Sequence, residues 1–446
     1  MGKESKKQLS RRDFITKTTI ALAATGLAPL DALDCAQTLA KRYLPLAEAD
    51  ERKTPVRMIE IGLRSGVPMI MLGANDDFKR LSTPRHPNCP YSGNGLTLTQ
   101  NNLHLNTATM ALQPYAGNIA ITQGVANETG HSSLFAHRKG GATQNLRSPI
   151  IELISRNTTS SLMAGIQFGT GVTNNTLGKA DLQAVNTTTF FDYFKKPTLK
   201  VSEIEADLIA KASRTLSRRQ AIMLERAQKT AIPHAESHAS AVYLMTTDFS
   251  SQLVLDDLPS GLLTGRQTTY RDPARGMAMA LKAMSLNLIN SAQVVISTGD
   301  WHRYQSIGAS PSNYPGEMAS ILSSTISYLQ KTPDPAGTKG ETLWDTTFIV
   351  IGTEFTRGIA PVGRDNNDGS TQGFAMIGKR VAGGFYGGFD LKDTGGVAGT
   401  AYGCDLITGQ KTPTEKNTNE QIYHTVNALA QNPGVDLKKV FQCMIG

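Results

Sequence analysis

The chain has 446 residues, of which 39% are hydrophobic and 18% charged, with four cysteines and a formal net charge of +8. A chain of this length and composition has enough residues for one large core or two to three smaller domains, and it excludes collagen-like, coiled-coil and solenoid classes. Half of the excess charge lies within residues 1–17. The remainder is too dilute for a nucleic-acid-binding surface, so we expect no nucleic-acid partner.

The amino terminus carries an export pattern. Residues 10–15 read Ser-Arg-Arg-Asp-Phe-Ile, which matches the twin-arginine signature S-R-R-x-F followed by a hydrophobic residue. Residues 18–30 are mildly apolar and too few to form a stable transmembrane segment. We therefore predict a signal peptide over 1–36 and a linker over 37–55. The predicted route uses the twin-arginine translocase as a partner and delivers the folded protein to the periplasm or outside the cell.

Alternating apolar residues predict a strand at 56–63, and a β-branched run and an apolar run predict strands at 293–298 and 347–351. A further strand is predicted at 118–125, with shorter ones at 374–377 and 381–386. Residues 73–102 are rich in Asn, Pro and Gly and predict a long surface loop, whereas 103–112 has helical spacing. Helical periodicity also marks 201–245, 275–290 and 317–330. This alternation predicts an α/β fold, a three-layer sandwich with a mostly parallel central sheet. We expect one domain over 56–446, with a helical insertion around 201–290.

An exported protein works in a compartment where disulfides persist, so the cysteines allow two interpretations. They are Cys35, Cys89, Cys404 and Cys443, and no C-x-x-C spacing occurs among them. This spacing excludes a zinc knuckle or a thioredoxin-type site. If a disulfide forms, Cys404 with Cys443 is the pair we expect. The alternative is that the cysteines are buried, unpaired small hydrophobes.

Polar side chains follow three of the predicted strands. They are His131, then Asp300 with His302, then Glu354 with Arg357, and Asp365 lies on the next loop. Parallel strands end at one edge of a sheet, which is where open α/β sheets bind ligands. Asp, His and Glu suit a divalent cation, and Arg357 suits a phosphate, sulfate or carboxylate. The structural alternative is a surface Asp–His pair, an ion pair between Glu354 and Arg357, and a turn at Asp365.

The order of these motifs resembles the twin-arginine-exported, sulfatase-like family known as domain of unknown function fifteen-oh-one. Its G-G-W-D-T-H-x-x-Q is echoed by residues 298–305, with Trp and Asp exchanged in order, and its S-E-F-G-R by residues 352–357. Its L-W-D-x-T is present at 343–347, its V-x-G-G-x-x-G at 381–387, and its S-H-F-x-A is echoed at 130–136. The resemblance implies an alkaline phosphatase or sulfatase-like fold over residues 56–390.

Two departures from the family pattern bear on the chemistry. The turn after the first strand reads Gly62-Leu63-Arg64-Ser65-Gly66, without the usual acid, so Arg64 brings a positive charge to the expected metal position. The family's late G-x-D-H appears with Asn366 in place of His. Both departures lower the expectation of a two-metal mechanism. Ser65, Ser132 and Thr353 are suitably placed nucleophiles, and spacing selects none of them.

These observations leave two hypotheses open. In the first, the protein is a metal-dependent hydrolase of phosphate or sulfate esters. Asp300, His302 and Glu354 then hold zinc, calcium or magnesium, His131 and Asp365 complete the site, and Arg357 with Ser65 or Ser132 acts on the ester. In the second, the protein is a catalytically decayed member that binds an anionic small molecule or glycan ester, or assists assembly. A periplasmic redox enzyme is disfavoured, because no haem, flavin or iron–sulfur motif occurs.

Overall fold

Strand β1 (Arg57–Arg64) lies near the centre of an eight-stranded sheet in the computed structural model. The residues that the structure describes are 56–64, 66–67, 69–79, 97–105, 107–127, 137, 140–141, 150, 154, 163–168, 182–185, 190, 249, 252–264, 266, 268–297, 314–355, 371–390, 400–413, 415–432 and 434–446. The chain divides into two compact units. One contains residues 1–53, 159–162 and 191–254, and the other contains 54–158, 163–190 and 255–446.

All of the helices and strands named below belong to the second unit. The strands are β1, β2 (Thr97–Gln100), β3 (Leu103–Leu105), β4 (Ile119–Ala126), β5 (Met163–Phe168), β6 (Leu182–Val185), β7 (Ile289–Ser297), β8 (Thr347–Thr353), β9 (Thr371–Gly378), β10 (Gly384–Tyr386), β11 (Gly388–Asp390) and β12 (Thr400–Tyr402). The helices are α1 (Asp76–Lys79), α2 (Ser260–Leu263), α3 (Thr268–Ser285), α4 (Tyr314–Lys331), α5 (Leu343–Thr346) and α6 (Asn419–Leu429). The 3-10 helices include Met69–Met71, Met110–Asn118 and Gln442–Met444.

The main sheet has the strand order β10-β4-β9-β8-β1-β7-β5-β6. Its pairs are parallel except for the two made by β9, which is antiparallel to both β4 and β8. Seven strands therefore run in one direction and β9 opposes them. The central strands are buried on both faces, which explains why apolar residues occupy positions on both sides of each strand, with polar exceptions such as Glu60 and Gln293. The predicted mostly parallel sheet is confirmed.

Helices cover both faces of this sheet. Residues of α6, including Ile422 and Val426, pack in one core cluster with Met58 of β1 and Phe348 of β8, which are paired in register. On the opposite face α3 packs along β7 and β5, and its Gly276 lies against Phe168. Helix α4 packs on α3. These contacts confirm the predicted three-layer α/β sandwich.

The described parts of residues 73–112, which are 73–79, 97–105 and 107–112, differ from the prediction of a surface loop followed by a helix. Gly73 to Asn75 are buried, α1 follows, and β2 and β3 form an antiparallel hairpin. Asn101 and Asn102 make its turn with φ values of 33° and 62°, a left-handed conformation that asparagine tolerates better than most residues. The Leu103 segment is therefore a strand, because its backbone is paired with β2.

The boundaries of helix α3 and of the strand after it differ from those predicted from the sequence. Helix α3 begins at Thr268 rather than near 275, includes Pro273, and ends at Ser285. Strand β7 then begins at Ile289, before the predicted start at 293. The predicted helix over 201–245 and the signal segment over 1–36 lie outside the described residues.

Candidate functional site

The carboxyl ends of β1, β7 and β8 lie side by side in the sheet. In register, Arg64 at the end of β1 pairs with Ser297 at the end of β7, and Leu63 pairs with Thr353 at the end of β8. These are the strand ends after which the sequence places Ser65, the Asp300–His302 pair, and Glu354. Strand β4, which precedes His131 and Ser132, runs parallel to β8 and ends at the same edge. The described strand ends therefore share one edge, and the grouping of the residues that follow them stays a prediction.

Glu354 is the one predicted metal ligand that the structure describes. Its side chain is 7% exposed, and its Oε1 lies 3.9 Å from Nε of Arg64, whose side chain is 32% exposed. The backbone N–H of Glu354 donates to the carbonyl of Leu63 at 3.3 Å, which extends the pairing of β8 with β1 beyond the strand end. The positive charge that the sequence assigned to Arg64 thus lies beside Glu354.

Strand β9 supports the end of β8 through side-chain hydrogen bonds. Nε2 of the buried Gln372 donates to the carbonyls of Thr353 and Glu354, each at 3.0 Å. The backbone N–H of Gly373 donates to Oγ1 of Thr353 at 2.9 Å. Thr353 is therefore engaged in a structural contact, and Gln372 is a residue that the sequence did not single out. The sequence indicates the role of Gln372 only weakly, because a Gln near the start of a buried strand is often an ordinary core residue.

A second group of polar side chains lies further from the strand ends, on the face of β1 that also carries Arg64. Residues two apart in a strand share a face, so Glu60 points to the same side of β1 as Arg64. His137 Nε2 lies 2.8 Å from Glu60 Oε1, and Gln293 Nε2 of β7 donates to Glu60 Oε2 at 3.0 Å. All three side chains are almost completely buried. Their environment resembles a protein interior, where such groups are retained only when hydrogen-bonded.

The described part of the edge fits a divalent cation poorly. A guanidinium 3.9 Å from Glu354 competes with a cation for the same carboxylate oxygen. Among the described residues, no three His, Cys, Asp or Glu side chains are grouped as metal ligands would be. The other predicted metal ligands are His131, Asp300, His302 and Asp365, which lie outside the described residues, as do Ser65, Ser132 and Arg357. Their roles stay predictions.

A depression lies away from this edge. It is shallow and open to solvent, and it is lined by residues that include Val56, Trp344, Thr347 and Lys379. Val56 and Thr347 are at the amino ends of β1 and β8, so the depression is at the opposite edge of the sheet from Arg64 and Glu354. It contains no predicted site residue.

No protein-family model matches this chain, and no curated protein matches its sequence. Among solved structures, a protein of the alkaline phosphatase superfamily from Vibrio parahaemolyticus shows 11% identity over 88% of this chain and 70% of its own, with a TM-score of 0.36. An alkaline phosphatase variant of TAB5 with magnesium bound shows 10% identity over 86% of this chain and 100% of its own, with a TM-score of 0.33.

A 2-O GAG sulfatase also matches, with 10% identity over 86% of this chain and 72% of its own and a TM-score of 0.31. TM-scores this low decide neither the activity nor the site residues of this chain. Within the described residues, none of the helices is both long and apolar enough to cross a membrane.

Proposed function

We propose that this chain is an exported, sulfatase- or phosphatase-like α/β protein that binds a phosphate or sulfate ester at the carboxyl edge of its sheet. The observation that carries the proposal is the Arg64–Glu354 pair at that edge. A guanidinium binds a tetrahedral oxyanion through two parallel N–H donors, a geometry that lysine does not provide. Export by the twin-arginine route, supported by residues 10–15, belongs to the same proposal.

The different exposure of the two partners supports this assignment. Glu354 is nearly buried and fixed through its backbone by Leu63 and Gln372, so it is a stationary charge. The Arg64 side chain is about one-third exposed, and its Nε lies 3.9 Å from the Glu354 carboxylate at the strand end. An anionic ligand would meet a cation that is already positioned, which lowers the entropy cost of binding.

The second candidate is metal-dependent hydrolysis of the same esters, with Asp300, His302 and Glu354 as ligands of zinc, calcium or magnesium. The observation that favours it is the side-by-side placement of the ends of β1, β7 and β8. His131 and Asp365 would complete this site, and Arg357 and a serine at position 65 or 132 would act on the ester. The decayed-enzyme alternative keeps the ester-binding edge without the cation.

The deciding experiment combines metal analysis with ester binding. Protein exported through its own signal is analysed for metals, then titrated calorimetrically with 4-nitrophenyl phosphate and 4-nitrophenyl sulfate and assayed for hydrolysis. Ester binding that weakens at least about tenfold in Arg64→Gln, but not in the control Arg271→Gln on the exposed surface of α3, supports the binding proposal. No binding of either ester by the wild type would refute it.

The same samples test the second candidate. About one equivalent of a divalent metal, lost in the double variant Asp300→Ala with His302→Ala, together with ester hydrolysis, favours the hydrolase. Less than about a tenth of an equivalent, with ester binding retained, favours the binding protein.

A further inference from the structure

The carboxyl-terminal segment and the loop after β12 bring two cysteines together. Cys404 lies just after β12, and Cys443 lies in the 3-10 helix Gln442–Met444. Both are free thiols, Cys404 is buried and Cys443 is partly exposed. The Cys443 thiol donates to the carbonyl of Asp405, the residue after Cys404, with its Sγ 3.9 Å from the oxygen, and both cysteines pack with the same hydrophobic cluster. The two thiols are therefore neighbours and interact with each other, and a disulfide requires their sulfurs to approach to about 2.05 Å.

Backbone hydrogen bonds hold both cysteines in place. The N–H of Cys404 donates to Oδ1 of Asn417 at 2.7 Å, and Nδ2 of Asn417 donates to the Cys404 carbonyl at 3.0 Å. The N–H of Cys443 donates to the carbonyl of Leu406 at 3.1 Å, and the Tyr386 hydroxyl donates to the Cys443 carbonyl at 2.8 Å. The backbone around each cysteine is therefore fixed by the fold, and this brings the two thiols close together.

The two thiols have different reactivity. The hydrogen bond from Cys404 lowers the pKa of Cys443, because it stabilises the Cys443 thiolate. The same hydrogen bond and burial raise the pKa of Cys404. Thiolate is the form that attacks a disulfide, and Cys443 is also the more accessible of the two. Cys443 is therefore the sulfur that meets an external oxidant, and Cys404 is placed to react second.

We propose that Cys404 and Cys443 are an oxidisable pair that forms an intramolecular disulfide by exchange with a small or protein disulfide. Taking oxidised glutathione as the oxidant, the Cys443 thiolate attacks one glutathione sulfur and releases the other glutathione as a thiol. Cys404 then gives up its proton and attacks the Cys443 sulfur, which breaks the mixed disulfide and releases the second glutathione. Two protein thiols are oxidised and one glutathione disulfide is reduced to two thiols, so electrons and protons balance.

The disulfide would attach the carboxyl-terminal tail to the loop after β12. The carboxyl-terminal segment includes α6, which packs on β8 and β9, and the tail, in which Phe441 and Met444 are buried. Ala382 donates to the carbonyl of Met444 at 3.0 Å, and Gly446 donates to the carbonyl of Arg380 at 2.8 Å. Closing the loop from Cys404 to Cys443 reduces the freedom of the unfolded chain, so oxidation should raise Tm by about 5 °C.

The test uses the full chain with Cys35→Ser and Cys89→Ser, so that only Cys404 and Cys443 react. On incubation with oxidised glutathione, intact-mass spectrometry should show the loss of two hydrogens and no retained glutathione, with Tm raised and restored by a reductant. Adding Cys404→Ser should trap one glutathione on Cys443, whereas adding Cys443→Ser should leave Cys404 nearly unmodified in the folded protein.

Two outcomes would overturn the proposal. One is a folded protein whose two thiols both persist at an oxidant concentration that traps glutathione in the Cys404→Ser variant. The other is faster modification of Cys404 than of Cys443, which would invert the assigned order. Because the readouts are mass and Tm, they are independent of whether the protein binds an ester.

Discussion

Arg57 Nη1 lies 2.6 Å from Asp334 Oδ2, and neither side chain has any exposure to solvent. The pair lies at the amino end of β1, opposite the edge that carries Arg64. Thr346 Oγ1 also donates to Asp334 Oδ2 at 2.6 Å, and Arg57 Nη2 donates to Oδ1 of Asn287 at 3.2 Å. Burial lowers the pKa of Arg57, and Asp334 opposes this shift.

A buried pair of this kind predicts an asymmetric mutational response. Asp334→Ala should lower the free energy of unfolding by about 3–5 kcal/mol, because it leaves the Arg57 charge buried without its carboxylate. The double variant Arg57→Met with Asp334→Leu should lose much less than the sum of the two single variants. Urea unfolding monitored by circular dichroism measures all three. Additive losses would contradict the prediction.

Gln372 is expected to support the candidate site without contacting a ligand. Gln372→Leu removes the donor shared by the carbonyls of Thr353 and Glu354, and should cost about 1–3 kcal/mol of stability. Because the backbone at Glu354 loosens, affinity for the ester should fall as well. Calorimetric titration and urea unfolding of the same variant measure both effects. Unchanged ester affinity in a destabilised variant would show that Gln372 supports only the fold.

The interior polar group around Glu60 should behave as a coupled unit. Glu60→Gln replaces the carboxylate that contacts His137 and Gln293, and should lower the free energy of unfolding by about 2–3 kcal/mol. His137→Asn should cost a similar amount, and the double variant less than the sum. A double-mutant cycle from urea unfolding gives the coupling energy. A coupling energy of zero would mean that the contact between Glu60 and His137 contributes nothing.

The environment of Asp345, near the amino edge of the sheet, predicts that the stability of the protein depends on pH. Partial burial raises the pKa of Asp345, but hydrogen bonds from Lys379 and Thr342 outweigh this and leave it below its ordinary value. A carboxyl group with a lowered folded-state pKa stabilises the protein above the unfolded pKa, and this contribution is lost as pH falls through the folded pKa. Asp345→Asn should therefore lower Tm by about 1–2 °C at pH 7.

The difference between Asp345→Asn and wild type should close as pH falls below about 4, where the wild-type carboxylate is progressively protonated. Thermal melts at a series of pH values measure it. The matched control is Asp272→Asn, which changes an exposed carboxylate of α3. A constant Tm difference across the whole pH range would contradict the assignment.

Two neighbouring glycines should respond differently to alanine. A Cβ on Gly383 would lie 1.9 Å from the carbonyl oxygen of Ala116, which is backbone and has little room to move. Gly383→Ala should therefore cost about 3 kcal/mol or more. Gly117, whose carbonyl accepts a hydrogen bond from Gly383, has open space at its own Cβ position. Gly117→Ala should remain within about 1 kcal/mol of wild type in urea unfolding, and an equal loss in both would refute the steric account.

The strands that the sequence predicted are those buried on both faces. Strands β1, β4, β7 and β8 have apolar residues on both faces, which is the pattern that a covered parallel sheet favours. The β2–β3 hairpin was missed because its turn is Asn101-Asn102, and two asparagines are also typical of an irregular loop. The reversed direction of β9 has no signal in its own residues.

The candidate site was predictable in its location but not in its contacts. Polar residues after apolar strands indicate the carboxyl edge, because parallel strands end together. That Arg64 lies beside Glu354 depends on β1 pairing with β8, which no local pattern specifies. Gln372 acts on Glu354 only because β9 runs antiparallel to β8.

The position of β1 at the sheet centre also sets an order of events during synthesis. β1 is the first strand of the sheet to be made, yet Gln293, the partner of Glu60 on β7, comes 233 positions later. β8 is made later still, so β1 has neither lateral neighbour while most of the chain is unfinished. Long-range pairing of this kind closes late and slowly. The twin-arginine route proposed for this chain carries folded proteins, so on that route β1 would be enclosed by β7 and β8 before export.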